Sequence, residues 1–221
     1  MVSCPFGAIA DKSQIFQLIR ALQSGRMIIA QVAPSFAGQF GPKVTPDMFK
    51  TALKELGFAE VYETAIGADM GCVAEAEHYV REVATGKQAF ALTSCCPSWA
   101  MMAKNLFPET IDKISNELTP MVATARVIKE KHPDASVVFI GPCASKKLEA
   151  SRTTVRSDVD FVITFEELTG MFEAKGILVE EIKAMDELKG ATAAGRGYGV
   201  AGGVASAIES CIKEYYPGTA V

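Results

Sequence analysis

Ala89-Phe90-Ala91-Leu92-Thr93-Ser94-Cys95-Cys96-Pro97-Ser98-Trp99 sets two adjacent cysteines between a short apolar run and a proline. Ala89 to Leu92 is an uncharged run of strand length, and Pro97 suits the first turn of a helix. The spacing therefore predicts a strand, a tight turn carrying both cysteines, and a helix. At such a turn the backbone amides and the helix dipole favour an anion or a thiolate. Adjacent side chains leave opposite sides of the backbone, so the two thiols do not both face one metal without strain. One is free for a second task. The alternative is a buried, inert pair, since free cysteine is among the most buried residue types.

The pattern recurs on both sides of this turn. Ile15, Phe16, Leu18, Ile19 and Leu22 have helical spacing, with Asp11 or Ser13 as N-cap. Met27 to Val32 is an apolar strand ending in the small-residue loop Ala33-Pro34-Ser35-Phe36-Ala37-Gly38, either a plain loop or a place where backbone meets a ligand closely. A helix starts at Thr45-Pro46 and closes at Gly57, and Glu60 to Thr64 forms a short strand. A helix over about 70–83 carries Cys72, Glu75, His78 and Tyr79; Glu75 and His78 share one face, as a solvated pair would. Beyond Trp99, helices are expected near 119–131 and 164–174, and strands near 136–140 and 159–163. Strands alternating with helices predict an α/β fold with parallel sheet.

The strand near 136–140 ends in Gly141-Pro142-Cys143-Ala144-Ser145-Lys146-Lys147. A second cysteine thus sits at a strand's carboxyl end, the edge where open α/β sheets bind ligands. Lys146 either meets an anion there or is an ordinary surface lysine. Gly195-Arg196-Gly197-Tyr198-Gly199-Val200-Ala201-Gly202-Gly203-Val204 leads into a helix over about 205–213. It lacks the Gly-Lys-Ser/Thr ending of a phosphate loop and the following acidic residue of a dinucleotide fingerprint, so close packing or approach to a ligand explains its glycines better. Cys211 reads as structural, and Tyr215 to Val221 reads as the start of another strand.

Composition narrows the classes. A chain of 221 residues, 49% of them hydrophobic, buries a sizeable core, and a net charge of -4 without a basic stripe argues against a nucleic-acid partner. The longest uncharged run, Gln88 to Ala103, is broken by Pro97, and the amino terminus lacks a signal peptide's pattern. No membrane span and a cytoplasmic location are expected. Six cysteines (Cys4, Cys72, Cys95, Cys96, Cys143 and Cys211) are too sparse for a disulfide scaffold and favour metal binding or redox work. Cys4-Pro5-Phe6-Gly7-Ala8-Ile9 resembles the end of a bacterial ferredoxin half, where the last cysteine precedes proline and ligates a [4Fe-4S] cluster. Residues 1–10 are then the remnant of an upstream ferredoxin-like module with Cys4 as a metal ligand, unless the likeness is chance.

With both cysteine loops placed, residues 11–221 resemble part of an iron-only, or [FeFe], hydrogenase catalytic domain. Thr93-Ser94-Cys95-Cys96-Pro97-Ser98-Trp99 matches the family's first signature, and Pro142-Cys143-Ala144-Ser145-Lys146-Lys147-Leu148-Glu149 matches its second from the proline onward. Ala33-Pro34-Ser35, Asp158-Val159-Asp160-Phe161-Val162-Ile163-Thr164 and the Gly202-Gly203-Val204 turn extend the likeness over nearly the whole chain. The resemblance implies two lobes of mainly parallel sheet flanked by helices, the carboxyl-terminal lobe incomplete. It also implies a cofactor: a [4Fe-4S] cubane joined through a cysteine to a two-iron unit carrying CO, cyanide and a dithiolate, interconverting protons and electrons with H2. Cys96 and Cys143 would ligate the cubane, and Cys95 would donate protons. Lys146 would hydrogen-bond one cyanide, with Ala33, Pro34 and Ser35 lining the pocket of the other. Glu75 and Ser115 match the proton path, and His78 stands where its second glutamate is expected. Electrons would come from a ferredoxin-like donor or an upstream cluster module.

The sequence departs from the pattern at Gly141, usually methionine, at Met121, commonly a glutamine that donates to cyanide, and at Tyr198, usually phenylalanine. These changes make a low-turnover, hydrogen-sensing member an alternative. The family's third signature, whose Cys-x-x-x-Cys pair supplies the other cubane ligands, does not occur here, so the isolated chain is expected to be an inactive fragment without an intact cluster. A non-catalytic iron–sulfur assembly-type homologue is a further alternative, against which the retained Cys95 argues.

Overall fold

The computed structural model describes residues 5, 6, 8, 12–153, 155 and 157–221. Cys4 and most of the ferredoxin-like stretch lie outside them, as does Asp11. The described chain is built on one parallel sheet, order β2-β1-β3-β4, formed by β1 (Ile28–Val32), β2 (Glu60–Glu63), β3 (Ser136–Gly141) and β4 (Phe161–Thr164). Every residue of β1 and β3 is buried, as expected for central parallel strands covered on both faces, and this explains their continuous apolar runs.

Helices follow the strands in chain order: α1 (Ile15–Gln23), α2 (Pro46–Leu56), α3 (Ala65–Glu82), α4 (Pro97–Leu106), α5 (Pro120–Lys131), α6 (Ser145–Ala150), α7 (Phe165–Lys175), α8 (Ala193–Gly197) and α9 (Gly203–Tyr215). Local chemistry sets several of their ends. Thr45 accepts from the Met48 amide ahead of Pro46, and Gly57 closes α2 in the left-handed conformation. Thr164 and Glu167 form a capping box on α7. Phe49 stacks between Phe36 and Phe40, and Phe40 meets Phe165 and Phe172 edge-on, joining α2 to α7. The chain leaves β1 toward β2 on one side and returns to β3 on the other. Right-handed crossovers therefore put α2 on one face and the α3–α5 pair on the opposite one. The strand order reverses between β1 and β3, so a crevice opens outside their carboxyl ends.

Several expectations change. Ala89 to Leu92 is not a strand of the sheet; a single parallel bridge joins Leu92 to Ile114, with Leu92 N–H to Lys113 O at 2.9 Å and Ser115 N–H to Leu92 O at 2.7 Å. Its neighbouring segment curls into a 3-10 helix over Pro108–Lys113, which leaves too short a partner for a ladder. This bridge and α4 are what the described residues contribute toward a second lobe. Helix α3 starts at Ala65 rather than near 70, because the small residues Gly67 and Ala68 let its first turn pack on α5, where the Gly67 amide donates to Thr124 Oγ1 at 2.9 Å. Helix α1 starts at Ile15, whose amide Ser13 accepts at 3.3 Å. The stretch after Tyr215 is turn and coil, not a strand. Among the described residues no helix is long and apolar enough to cross a membrane.

Candidate functional site

The crevice at the strand-order reversal is a cavity of about 330 Å³. The loop after β1 supplies Ala33, Pro34 and Ser35, the turn before α4 supplies Cys95 and Cys96, and the loop after β3 supplies Cys143 and Lys146. Seven of the expected site residues, from three separate loops, thus face one space.

Each loop is held by short-range chemistry. Cys96 is the N-cap of α4: its sulfur accepts from the Trp99 amide at 3.5 Å, and Pro97 follows at the first helical position. The Trp99 indole donates to Thr93 O at 3.1 Å and pins the turn from below. Cys143 is exposed; its sulfur lies 2.9 Å from Ser145 Oγ and accepts from the Ser145 amide at 3.4 Å. Both sulfurs at these loop ends therefore accept a backbone N–H. Cys95 is different. Burial pushes its thiol up, partly opposed by a hydrogen bond with Thr93 and by the Lys146 charge. It is a half-buried thiol beside the exposed Cys96.

Lys146 Nζ donates to Cys95 O at 3.0 Å and pairs with the buried Glu149 carboxylate at 2.7 Å. This joins the two cysteine loops. A buried polar network fixes the opposite wall: Gln31 Nε2 donates to Met121 O at 3.0 Å, Thr64 Oγ1 donates to Gln31 Oε1 at 3.2 Å, and Thr124 Oγ1 donates to Thr64 O at 3.2 Å. Each of its buried polar side chains finds a partner, so the network costs little and sets one geometry.

The roof comes from α8. Asp69 on α3 accepts from the Thr192 amide at 2.8 Å, the Thr192 hydroxyl at 2.5 Å and the Gly195 amide at 2.8 Å. Arg196 grips Glu63, at the end of β2, through both nitrogens at 2.7 and 2.9 Å. Held this way, Tyr198 lines the cavity, and Gly199 lies so close to the Pro34–Ser35 backbone that a Cβ would sit 3.1 Å from it.

The proton-path residues lie outside this lining. Glu75 is buried, 8% exposed, and faces a second, apolar cavity of about 460 Å³. Burial pushes its carboxyl up, a hydrogen bond from Ser115 works the other way, and the nearby Glu117 charge adds to the rise. Glu75 is therefore not the solvated partner of a face-sharing pair. His78 Nε2 is buried without a hydrogen-bond partner among the described residues. Glu117 adds an acidic group that the sequence reading does not single out: its amide donates to Ser115 Oγ at 3.1 Å, a turn contact within the segment that follows the Leu92–Ile114 bridge. Phe139 was also missed. Its ring lines the cavity and fills the space beside Gly141, where a Cβ would lie 2.5 Å from it. A strand phenylalanine between apolar neighbours carries no local mark of that role.

The donor set is rich in thiols, the ligand type that iron–sulfur clusters take. Three cysteines, Cys95, Cys96 and Cys143, line the cavity, whereas a cubane takes four cysteine ligands. Among the described residues no group of three or more His, Cys, Asp or Glu side chains is arranged to hold a metal ion.

Residues 26–221 match the family described as "Iron only hydrogenase large subunit, C-terminal domain". The chain is 31% identical to iron hydrogenase 1 of Clostridium pasteurianum, over 96% of this chain and 41% of that protein. It is 30% identical to the periplasmic [Fe] hydrogenase large subunit of Nitratidesulfovibrio vulgaris, over 89% of this chain and 52% of that one. A cytosolic Fe-S cluster assembly factor of Meyerozyma guilliermondii matches at 27% identity over 55% of the chain. Among solved structures, an [FeFe]-hydrogenase described for stepwise H-cluster assembly superposes with a TM-score of 0.76 at 29% identity, over 95% of this chain and 59% of that chain. An apo [FeFe]-hydrogenase from Chlamydomonas reinhardtii gives 0.75 at 27% identity, over 94% and 60%. The chain thus spans from 41% to 60% of the length of these hydrogenases. The family match over residues 26–221, carried by a parallel α/β fold with a cysteine-lined crevice at its switch point, shows that the chain belongs to the iron-only hydrogenase large-subunit family.

Proposed function

We propose that this chain is the cluster-cradling part of an iron-only hydrogenase. The observation that carries the reading is the convergence of the Ala33–Ser35 loop, the Cys95–Cys96 turn and the Cys143–Lys146 loop on one cavity. When bound, the six-iron cofactor supplies the redox chemistry that interconverts two protons and two electrons with H2. Cys96 and Cys143 would hold the cluster through their sulfurs, each of which already accepts a backbone N–H. Lys146 would offer its ammonium to an anionic ligand of the group, while Glu149 and Cys95 O fix its position. The Ala33–Ser35 backbone, with Gly199 packed against it, forms the other side.

Cys95 keeps its proton because burial disfavours the thiolate, so it is poised as a donor at the cavity wall. Glu75, whose raised carboxyl binds and releases protons nearer neutrality than an ordinary glutamate, reloads it and is reloaded through the Ser115 hydroxyl. The path then reaches solvent beside exposed Glu117 rather than at His78. A cubane takes four cysteine ligands and the cavity offers fewer, so the chain on its own should be inactive. Electrons reach the site from a ferredoxin-like donor. A hydrogen-sensing role of low turnover is the second reading, favoured by the altered cavity wall at Gly141, Met121 and Tyr198.

The test is anaerobic reconstitution with iron and sulfide, of the chain alone and mixed with a polypeptide carrying the remainder of the Clostridium pasteurianum catalytic domain. The chain alone should hold iron below cubane stoichiometry and evolve no hydrogen; the mixture should gain a cubane absorbance that Cys96→Ser and Cys143→Ser each abolish. A stable stoichiometric cubane with hydrogen evolution in the chain alone overturns the reading that the site is incomplete. Cluster formation indifferent to both cysteines overturns the site itself.

A further inference from the structure

Two cysteines play no part in that site. Cys72, 1% exposed, lies on α3, and Cys211, half-buried, lies on α9. The two helices pack against each other through small buried residues, Ala68 and Ala76 on one and Gly203 and Ala207 on the other. Small side chains let the backbones approach as a disulfide requires. Cys72 stands midway between Ala68 and Ala76, and Cys211 lies one turn beyond Ala207, so each thiol extends the small-residue stripe on its helix into the α3–α9 contact; Cys72 Sγ also donates to the Tyr198 hydroxyl at 3.4 Å. Tyr198 in turn lines the cavity that holds Cys95, Cys96 and Cys143.

We propose that Cys72 and Cys211 form a redox modification site, a dithiol that a peroxide closes to a disulfide joining α3 to α9. The more exposed Cys211 sulfur, as thiolate, attacks a peroxide oxygen; the O–O bond breaks, hydroxide leaves and is protonated to water, and a sulfenic acid remains. The Cys72 thiolate then attacks that sulfur, the S–O bond breaks, and a second hydroxide leaves as water. Two thiols and one hydrogen peroxide give one disulfide and two waters; sulfur supplies the two electrons. The disulfide carries no S–H, so Tyr198 loses its donor and the roof over the cavity loosens.

The surroundings set the pace. Burial pushes Cys72 up to about 11, and burial likewise raises Cys211; Asp69 from α3, Glu214 from α9 and the Tyr198 hydroxyl from the α8–α9 connection face the pair. The thiols therefore stay reduced under brief exposure, and closure speeds up with pH, by roughly tenfold per unit below the thiol pKa. Nothing here depends on the hydrogenase reading, because the apo chain contains the whole site.

The experiment treats the reduced, anaerobically purified chain with hydrogen peroxide across a pH series, blocks free thiols with N-ethylmaleimide, and maps peptides by mass spectrometry without reductant. A peptide pair linked through Cys72 and Cys211, increasing with pH, released by dithiothreitol and absent from Cys211→Ser, supports the proposal. Tyr198→Phe, which keeps both thiols, should still form the link. Amide exchange of α8 should be faster in the linked protein. Recovery of Cys72 as the maleimide adduct while Cys211 proceeds to sulfinic acid overturns the site, and so does a Cys72 linked to any other cysteine. Unchanged α8 exchange in the linked protein overturns the coupling to the cavity roof.

Discussion

Glu75 carries opposing demands on one side chain. Its raised carboxyl means that the folded state holds the proton more tightly than the unfolded chain. Below the ordinary value of 4.5 both states are protonated and the burial costs nothing; as pH rises through that value toward the folded one, ionisation favours unfolding, and the cost then stays constant. Glu75→Gln keeps a partner for Ser115 and removes the charge. It should raise the Tm near pH 8 by roughly 2–4 °C, the shift that about 1 kcal/mol produces in a chain of this size, and leave it unchanged near pH 4. Thermal melts at both pH values check this, and in an assembled enzyme the same variant should stop proton delivery. Gly141 gives a second test. Gly141→Met should destabilise by about 1–3 kcal/mol, because Phe139 occupies the space, and pairing it with Phe139→Ala should recover most of the loss in urea titrations. At this scale Cys96, Cys143, Lys146 and the Ala33–Ser35 loop were legible because each stands in a short motif. Glu117 and Phe139 were not, because their roles depend on which distant segment lies alongside them.

Helix α8 is five residues long, too short to persist on its own. Thr192 caps it locally, and two carboxylates from other elements hold it in place: Asp69 accepts from Thr192 and the Gly195 amide, and Glu63 grips Arg196. The Arg196 side chain is 49% exposed and its partner 5% exposed, so solvent screens one end of the pair only. Arg196→Ala should cost about 1–2 kcal/mol, mostly from leaving the Glu63 carboxylate buried without its partner. Asp69→Ala should accelerate amide exchange of Thr192 through Gly199 while the sheet amides keep their protection; equal acceleration in β1 and β3 would show a global effect instead. The same contrast explains which elements the sequence made legible. Helices α2 and α7 carry their caps within a few residues, so local pattern sufficed. The stretch from Ala89 to Leu92 looks like a strand by composition, but pairing needs a neighbour, and among the described residues it forms a single bridge, Leu92 to Ile114.

Across the whole molecule, burial is uneven. The sheet and the helices packed on it enclose a continuous core, from Leu18 through Ile28, Phe49, Val138 and Ile163 to Leu168. Residues 84–118 share little of it: Phe90, Met102, Leu106, Phe107 and Ile111 are exposed, and the only described β pairing there is one bridge. Yet this region carries Cys95 and Cys96. Few buried apolar contacts imply a low free energy of local opening, whereas amides of the central strands open only with global unfolding. Native-state hydrogen exchange should therefore find two tiers, with β1 and β3 amides protected to the global stability and most amides of residues 84–118 exchanging far sooner. The Trp99 amide, tied to Cys96 Sγ, should fall in the faster tier, and adding the polypeptide that completes the catalytic domain should slow it toward the sheet's rate. Uniform protection across both regions in the isolated chain would mean that the cysteine turn is already rigid. The Cys95–Cys96 loop would then owe its geometry to contacts within these residues rather than to the completed site.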